Sequence, residues 1–123
     1  MAYIVCWLDS EEAKIFEFTT QGINKVDLKI KAEEKTANKS GDHHHHDSAA
    51  FYQRVAETMK SCTEALIVGP GMAKKHFKGF LENKNQNLLK RVVSFENMDH
   101  PTDKQIVAEA RKFFKAHDLF EGL

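Results

Sequence analysis

Four consecutive histidines are the residues of this chain whose types and spacing most suggest chemistry. The run and its acidic neighbours are Asp42, His43, His44, His45, His46 and Asp47. Neighbouring imidazoles with a carboxylate can ligate Zn²⁺ or Ni²⁺, so the histidines and Asp47 form a candidate metal site. Structural metal sites need ligands on ordered elements, and Ala37 is the only apolar residue of the segment 33–47. We therefore expect a long polar loop at about 33–47, partly cationic below about pH 6.5, with no metal or other cofactor.

Basic residues provide a second candidate site. Between Lys74 and Arg91 only Glu82 opposes the cations, and Lys74, Lys75 and Lys78 are spaced to share one face of a helix. Lys35, Lys39 and the histidines His43–His46 would form a second basic group in the polar loop. Both groups predict contacts with an RNA backbone, although a solvated helix face is an equally good interpretation of the first. No aromatic residue alternates with the lysines, so we expect no stacking of bases.

A third candidate is the turn Gly69-Pro70-Gly71, which leads from a predicted strand into a predicted helix. Backbone amides and the helix dipole at such a turn favour anions, and Lys74 could assist. The segment matches neither GxxxxGK[ST] nor GxGxxG. We therefore favour a tight structural turn over a phosphate site at Gly69 and Gly71.

The overall composition excludes several classes of protein. The 18 Lys and Arg residues balance the 18 Asp and Glu residues, so nucleic acid could be bound through local patches only. The chain has no apolar run of about 18 residues and no signal peptide, which predicts a cytoplasmic protein without a membrane partner. Cys6 and Cys62 lack metal-ligand spacing and lie in apolar stretches, as buried thiols of a reducing compartment do.

The hydrophobic pattern positions these candidates on a single α/β domain that covers 1–123. Residues 2–9 are apolar on both alternating faces, which is typical of a central strand. Residues 23–31 alternate apolar and charged side chains, which is typical of an edge strand. Strands are predicted at 2–9, 13–19, 23–31, 64–68 and 91–96, and helices at 49–61, 72–83 and from Thr102. The order βββαβαβα predicts a ribonuclease H-like mixed five-stranded sheet with helices on both faces.

Nucleases of this fold hold two metal ions with several carboxylates from the sheet and the first helix. Here Asp9 ends the first strand, but the fourth strand, EALIVGPG, offers no acid at its end. A nuclease site is therefore not expected. A metal-dependent hydrolase that uses His43–His46 with Asp47, or Asp9 with Asp99, remains an alternative.

Three segments of the chain resemble a known family. They are WLDSEEAKIFEF, EALIVGPGMAKKHF and MDHPTDKQIVAEARKFF. They resemble bacterial translational machinery proteins, which are single-domain relatives of the central domain of Pelota and of archaeal and eukaryotic peptide-chain release factors. The resemblance covers nearly the whole chain, and it implies a ribonuclease H-like fold and a place near the ribosome.

The chain departs from release factors in one segment. In that family the connection between the third strand and the first helix carries a Gly-Gly-Gln tip that enters the peptidyl-transferase centre. Here the connection reads KTANKSGDHHHHDSAAF, in which Gly41 is the only glycine and no glutamine occurs before Gln53. The resemblance thus implies a non-catalytic factor that binds the ribosome, or ribosomal or transfer RNA. A homodimeric interaction module that pairs through an exposed edge strand is a further alternative.

Overall fold

The computed structural model describes residues 2–35 and 48–116, which contain five strands and five helices. The strands are β1 (Tyr3–Leu8), β2 (Glu12–Thr19), β3 (Gly22–Lys29), β4 (Glu64–Gly69) and β5 (Val92–Asn97). The helices are α1 (Ala32–Lys35), α2 (Ala49–Thr58), α3 (Ala73–Lys84), α4 (Gln86–Arg91) and α5 (Asp103–Ala116). None of the helices within the described ranges is long and apolar enough to cross a membrane.

The strands form one sheet in the order β3-β2-β1-β4-β5. β1 lies at the centre, antiparallel to β2 and parallel to β4, so that Tyr3 pairs with Phe18 on one side and with Glu64 on the other. β4 and β5 are also parallel. The predicted mixed five-stranded sheet is confirmed.

Helices cover both faces of the sheet, as predicted. Alternation along β1 sends Ile4, Cys6 and Leu8 into a core with α2 and α3, while Val5 and Trp7 face α5. All five side chains are buried. A central strand that is apolar on both faces therefore requires two helical layers, and this is the ribonuclease H-like arrangement.

The predicted helix starts are confirmed in atomic detail. The Ser48 hydroxyl caps α2 by accepting the Phe51 amide at 3.0 Å. Thr102 and Gln105 form a reciprocal capping box at α5, with bonds of 2.8 Å and 3.2 Å. These caps set where α2 and α5 begin, and hence which of their faces meet the sheet.

Two short helices were not predicted as such. α1 occupies the start of the segment that was expected to be a polar loop, and α4 lies between the predicted helix at 72–83 and the last predicted strand. β3 is the predicted edge strand: Leu28 and Ile30 pack against the core, whereas Val26 is 40 % exposed.

Candidate nucleic-acid interface

The turn at the carboxyl end of β4 is tightly packed against β1. Gly69 has a φ of +154°, and a Cβ built on it would lie 2.1 Å from the carbonyl oxygen of Leu8. Only glycine fits such a position. The following Gly71 also has a positive φ, of +60°, but open space surrounds its Cα. The structure thus gives the first glycine a packing role, and anion binding at Gly69 and Gly71 stays a prediction.

Lys74 closes this turn. Its Nζ donates to the carbonyl oxygens of Gly69 and Gly71, at 2.8 Å and 3.1 Å. The residue is only 5 % exposed, and burial, with a smaller contribution from Lys75, lowers the pKa of its amino group. The prediction that Lys74 shares an exposed face with Lys75 and Lys78 is therefore wrong. Its side chain folds back toward the start of α3, where carbonyl oxygens take up its donors.

Lys75 and Lys78 are exposed, as expected, but they lie in different surroundings. The Lys78 Nζ lies 5.8 Å from the centre of the Phe95 ring of β5, a cation–π contact. Lys75 lines a groove between α2 and α3 instead. Arg91, at the end of α4, donates to the carbonyl oxygens of Lys60 and Cys62. Lys75, Lys78 and Lys84 are thus the exposed lysines of α3 that are available to a phosphate backbone.

The groove beside Lys75 has a volume of about 370 Å³. α3 contributes Lys75, His76 and Phe80 to its walls, and α2 contributes Tyr52. The rings of Tyr52 and Phe80 lie 6.0 Å apart at their centres. The expectation of no base stacking rested on the order of residues along the chain; in the structure Phe80 lines the same groove as Lys75.

Sequence reasoning missed an ion pair at the start of the polar segment. Arg54 of α2 binds Glu34 of α1 through two bonds of 2.9 Å, Nε to Oε2 and one Nη to Oε1. The same guanidinium donates to the carbonyl oxygen of Lys29. Glu34 is 7 % exposed, and its carboxylate also accepts the Lys31 amide at 2.7 Å. The bond from Arg54 is the main cause that holds the pKa of Glu34 below its ordinary value.

No local pattern could have revealed this pair, because its members are 20 positions apart in a chain with 36 charged residues of balanced sign. Its effect is to fasten the exit of β3 onto α2. Ser48 fastens the other end of the polar segment to the first turn of the same helix. Both ends of the predicted loop are therefore anchored on α2.

The remaining predicted loop residues are only partly covered by the structure. Lys35 is exposed, with its Nζ 3.9 Å from a carboxylate oxygen of Glu11. The other members of this predicted site lie outside the described residues, namely Lys39, His43, His44, His45, His46 and Asp47.

Asp9 and the two cysteines lie in ordinary structural surroundings, a turn and the hydrophobic core. Across residues 2–35 and 48–116, no three His, Cys, Asp or Glu side chains are grouped so as to hold a metal ion. Asp9 accepts the amides of Glu11 and Glu12 at 2.8 Å each, as a turn residue does. The predicted burial of both thiols is confirmed, and burial raises the pKa of Cys6 and of Cys62.

Comparison with known proteins gives a consistent fold assignment. No family model matches the chain. A protein pelota homolog from Methanococcus aeolicus is 29% identical over 111 residues, which cover 89% of this chain and 30% of that protein. The structure of Pelota from Archaeoglobus fulgidus superimposes with a TM-score of 0.70 at 13% identity, over 96% of this chain and 33% of that one.

The archaeal translation termination factor aRF1 gives a TM-score of 0.60 at 14% identity, over 96% of this chain and 36% of that one. The chain therefore spans about a third of the length of the proteins it matches. At these identities the structural likeness establishes the fold, which is the fold of one part of Pelota and of a translation termination factor.

Proposed function

We propose that this chain is a translation-associated factor of the cytoplasm that binds ribosomal or transfer RNA through its phosphate backbone and does not catalyse peptide release. The observation that carries the proposal is the likeness over 96% of the chain to a translation termination factor. The similarity to a pelota homolog over 89% of the chain supports it from sequence.

The non-catalytic part of the proposal rests on the connection between β3 and α2. Release factors are expected to carry a Gly-Gly-Gln tip there, whereas this segment has Gly41 as its only glycine and no glutamine. We propose that the chain belongs to the bacterial proteins with this domain and without the tip. In that case Lys35, Lys39 and the histidines would bind the RNA by electrostatic attraction and would not catalyse a reaction.

The surface around α3 supplies the charge that backbone binding requires. Lys75 and Lys78 are exposed, and so are Lys84 and Lys90 farther along the chain. Glu82 is the only acidic residue between positions 74 and 91. Contacts of this kind release counterions from the RNA, so the affinity should fall steeply as the salt concentration rises.

Sedimentation of the untagged protein with ribosomal particles tests the proposal. We expect co-migration at low salt, loss of co-migration at high salt, and loss at low salt in the double variant Lys75→Glu/Lys78→Glu. The matched control is Lys104→Glu/Lys112→Glu, which changes the net charge equally on exposed positions of α5. A wild-type protein that stays at the top of the gradient at every salt concentration would refute the proposal. Equal loss in both double variants would refute the assignment to α3.

The polar segment needs a separate test because it lies on the other side of α2 in the sequence. Deletion of residues 35–46 should weaken co-sedimentation while thermal unfolding of the remaining domain stays cooperative. Unchanged co-sedimentation of the deletion variant would show that Lys35, Lys39 and the histidines do not contact RNA.

A further inference from the structure

The packing of α3 does not explain why position 79 is a glycine. It lies in the interior of this 12-residue helix, where glycine costs about 1 kcal/mol relative to alanine. A Cβ built on Gly79 would meet no atom within 4 Å, so no close packing demands the missing side chain. The residue lines the groove between α2 and α3. The absence of a side chain therefore widens this groove.

The groove combines an aromatic wall with the positive charge of Lys75. Phe80 is partly exposed, and its ring is backed by Phe77, whose ring is nearly parallel at 8° and 6.3 Å away. Lys75 and His76 line the same groove, while no acidic side chain does so in the described part of the chain. Lys75 forms no ion pair with any described residue. A flat apolar surface beside the ammonium group of Lys75 fits an aromatic ring that carries a phosphate.

Asn83 adds a hydrogen-bonding group to the groove. Its side-chain amide can both donate and accept, as the edge of a nucleobase does. The volume of about 370 Å³ lies at the lower end of the range of about 300–1,000 Å³ that is typical of small-ligand sites. This volume is of the size of a single mononucleotide.

We propose that the groove between α2 and α3 holds one unstacked nucleotide of a single-stranded RNA, with its base against Phe80 and its phosphate at Lys75. The proposal rests on the RNA association proposed above, and it adds a preference for exposed bases to a backbone-binding surface. Stacking of a base on an aromatic side chain contributes about 1–3 kcal/mol, which corresponds to a factor of about 5–150 in affinity.

Two short RNA probes of equal length distinguish base binding from backbone binding. One is oligoadenylate, and the other is an abasic ribose-phosphate strand; fluorescence anisotropy at low salt gives both affinities. We expect the wild-type protein to bind oligoadenylate about tenfold more tightly than the abasic strand. An excess of free AMP should not displace the oligonucleotide, because the flanking phosphates contribute most of the affinity.

Two variants should abolish this preference by different means. Gly79→Leu fills the groove from a position where the new Cβ meets no atom, and Phe80→Leu removes the ring. Both should bind the two probes equally, with the abasic affinity unchanged. The control Asn87→Leu adds the same side chain at an exposed position of α4 and should retain the preference. Thermal unfolding checks that each variant folds. If Phe80→Leu does not fold, Gly79→Leu alone decides the test.

The outcomes separate this proposal from the proposed function. Equal wild-type affinities for the two probes, or a preference that survives Gly79→Leu, would overturn the nucleotide site and leave backbone binding intact. Displacement by AMP would assign the groove to a free mononucleotide and also overturn the proposal. Binding of neither probe, together with absence from ribosomal fractions, would refute the proposed function itself.

Discussion

Removal of Arg54 should destabilise the domain in a pH-dependent manner. The guanidinium forms two 2.9 Å bonds to Glu34, a carboxylate that is only 7 % exposed. Arg54→Met keeps most of the aliphatic volume of the side chain. Among the described residues it leaves the Lys31 amide as the remaining hydrogen-bond donor to the Glu34 carboxylate. The perturbation therefore isolates a buried negative charge.

The expected loss of folding stability in Arg54→Met lies between two limits. A fully exposed ion pair contributes about 0–1 kcal/mol, and loss of one partner of a fully buried pair costs about 3–5 kcal/mol. The Glu34 side chain is 8% exposed and that of Arg54 is 29% exposed, so this pair is intermediate. We expect Arg54→Met to lower the free energy of unfolding by about 2 kcal/mol at pH 7. The loss in Glu34→Gln should be smaller, because the Arg54 guanidinium that loses its partner is 29% exposed and still donates to the carbonyl oxygen of Lys29.

The sign of the pH dependence follows from Glu34. Its pKa is lower in the folded protein than in the unfolded chain, so the pair stabilises the fold above the unfolded value of 4.5. This contribution is lost as the pH falls through the lower pKa of the folded state. Denaturant titrations at a series of pH values measure it, with fluorescence of the single, buried Trp7 as the signal.

A double-mutant cycle of Arg54→Met and Glu34→Gln completes the assay. The coupling free energy should exceed about 1 kcal/mol at pH 7 and should shrink once the carboxylate is protonated. A coupling that is below about 0.5 kcal/mol at pH 7, or that is constant over the acid range, would refute the argument that the buried carboxylate depends on Arg54.

Three further predictions test the turn, a cap and a thiol. Gly69→Ala should lower the free energy of unfolding by more than about 2 kcal/mol in denaturant titrations, because the new Cβ meets the Leu8 carbonyl. Gly71→Ala should lower it by only about 1 kcal/mol, because its positive φ is the only obstacle to a side chain. Equal losses would contradict the packing argument. Thr102→Ala should lower stability by about 1 kcal/mol and Thr102→Ser by less, and a neutral alanine variant would exclude a contribution of the capping box. Burial raises the pKa of Cys6, so its thiol should resist alkylation in the native protein and react in denaturant, as peptide mass spectrometry would show; fast native labelling would count against its burial.

The fold was largely predictable because its signals are local. Two-sided apolar character predicted the central strand. The helix starts also have local signals, because the hydroxyls of Ser48 and Thr102 each accept an amide three residues farther along the chain. The near absence of apolar residues in segment 33–47 predicted a loop, and only the first three of its positions lie within the described residues. The sequence pattern did not predict α1, because this single helical turn has no periodicity of its own and depends on the contact of Glu34 with α2.

The candidate site was less predictable because it depends on the direction of individual side chains. Helical spacing placed Lys74 with Lys78, but a lysine at the start of a helix can reach back to the preceding carbonyl oxygens, and Lys74 does so. The groove beside Lys75 requires α2 and α3 to pack side by side. No spacing within either helix encodes that contact, so the aromatic wall at Phe80 emerged only from the three-dimensional arrangement.

The central position of β1 has a consequence for synthesis of the chain. β2 follows β1 directly and can pair with it as soon as both are made, but the opposite edge of β1 must await Glu64–Gly69. During translation that edge, with its apolar side chains on both faces, stays unpaired while some fifty-five further residues are added. Unpaired apolar edges are templates for aggregation. The nascent domain should therefore be most vulnerable to misassembly between completion of β2 and emergence of β4.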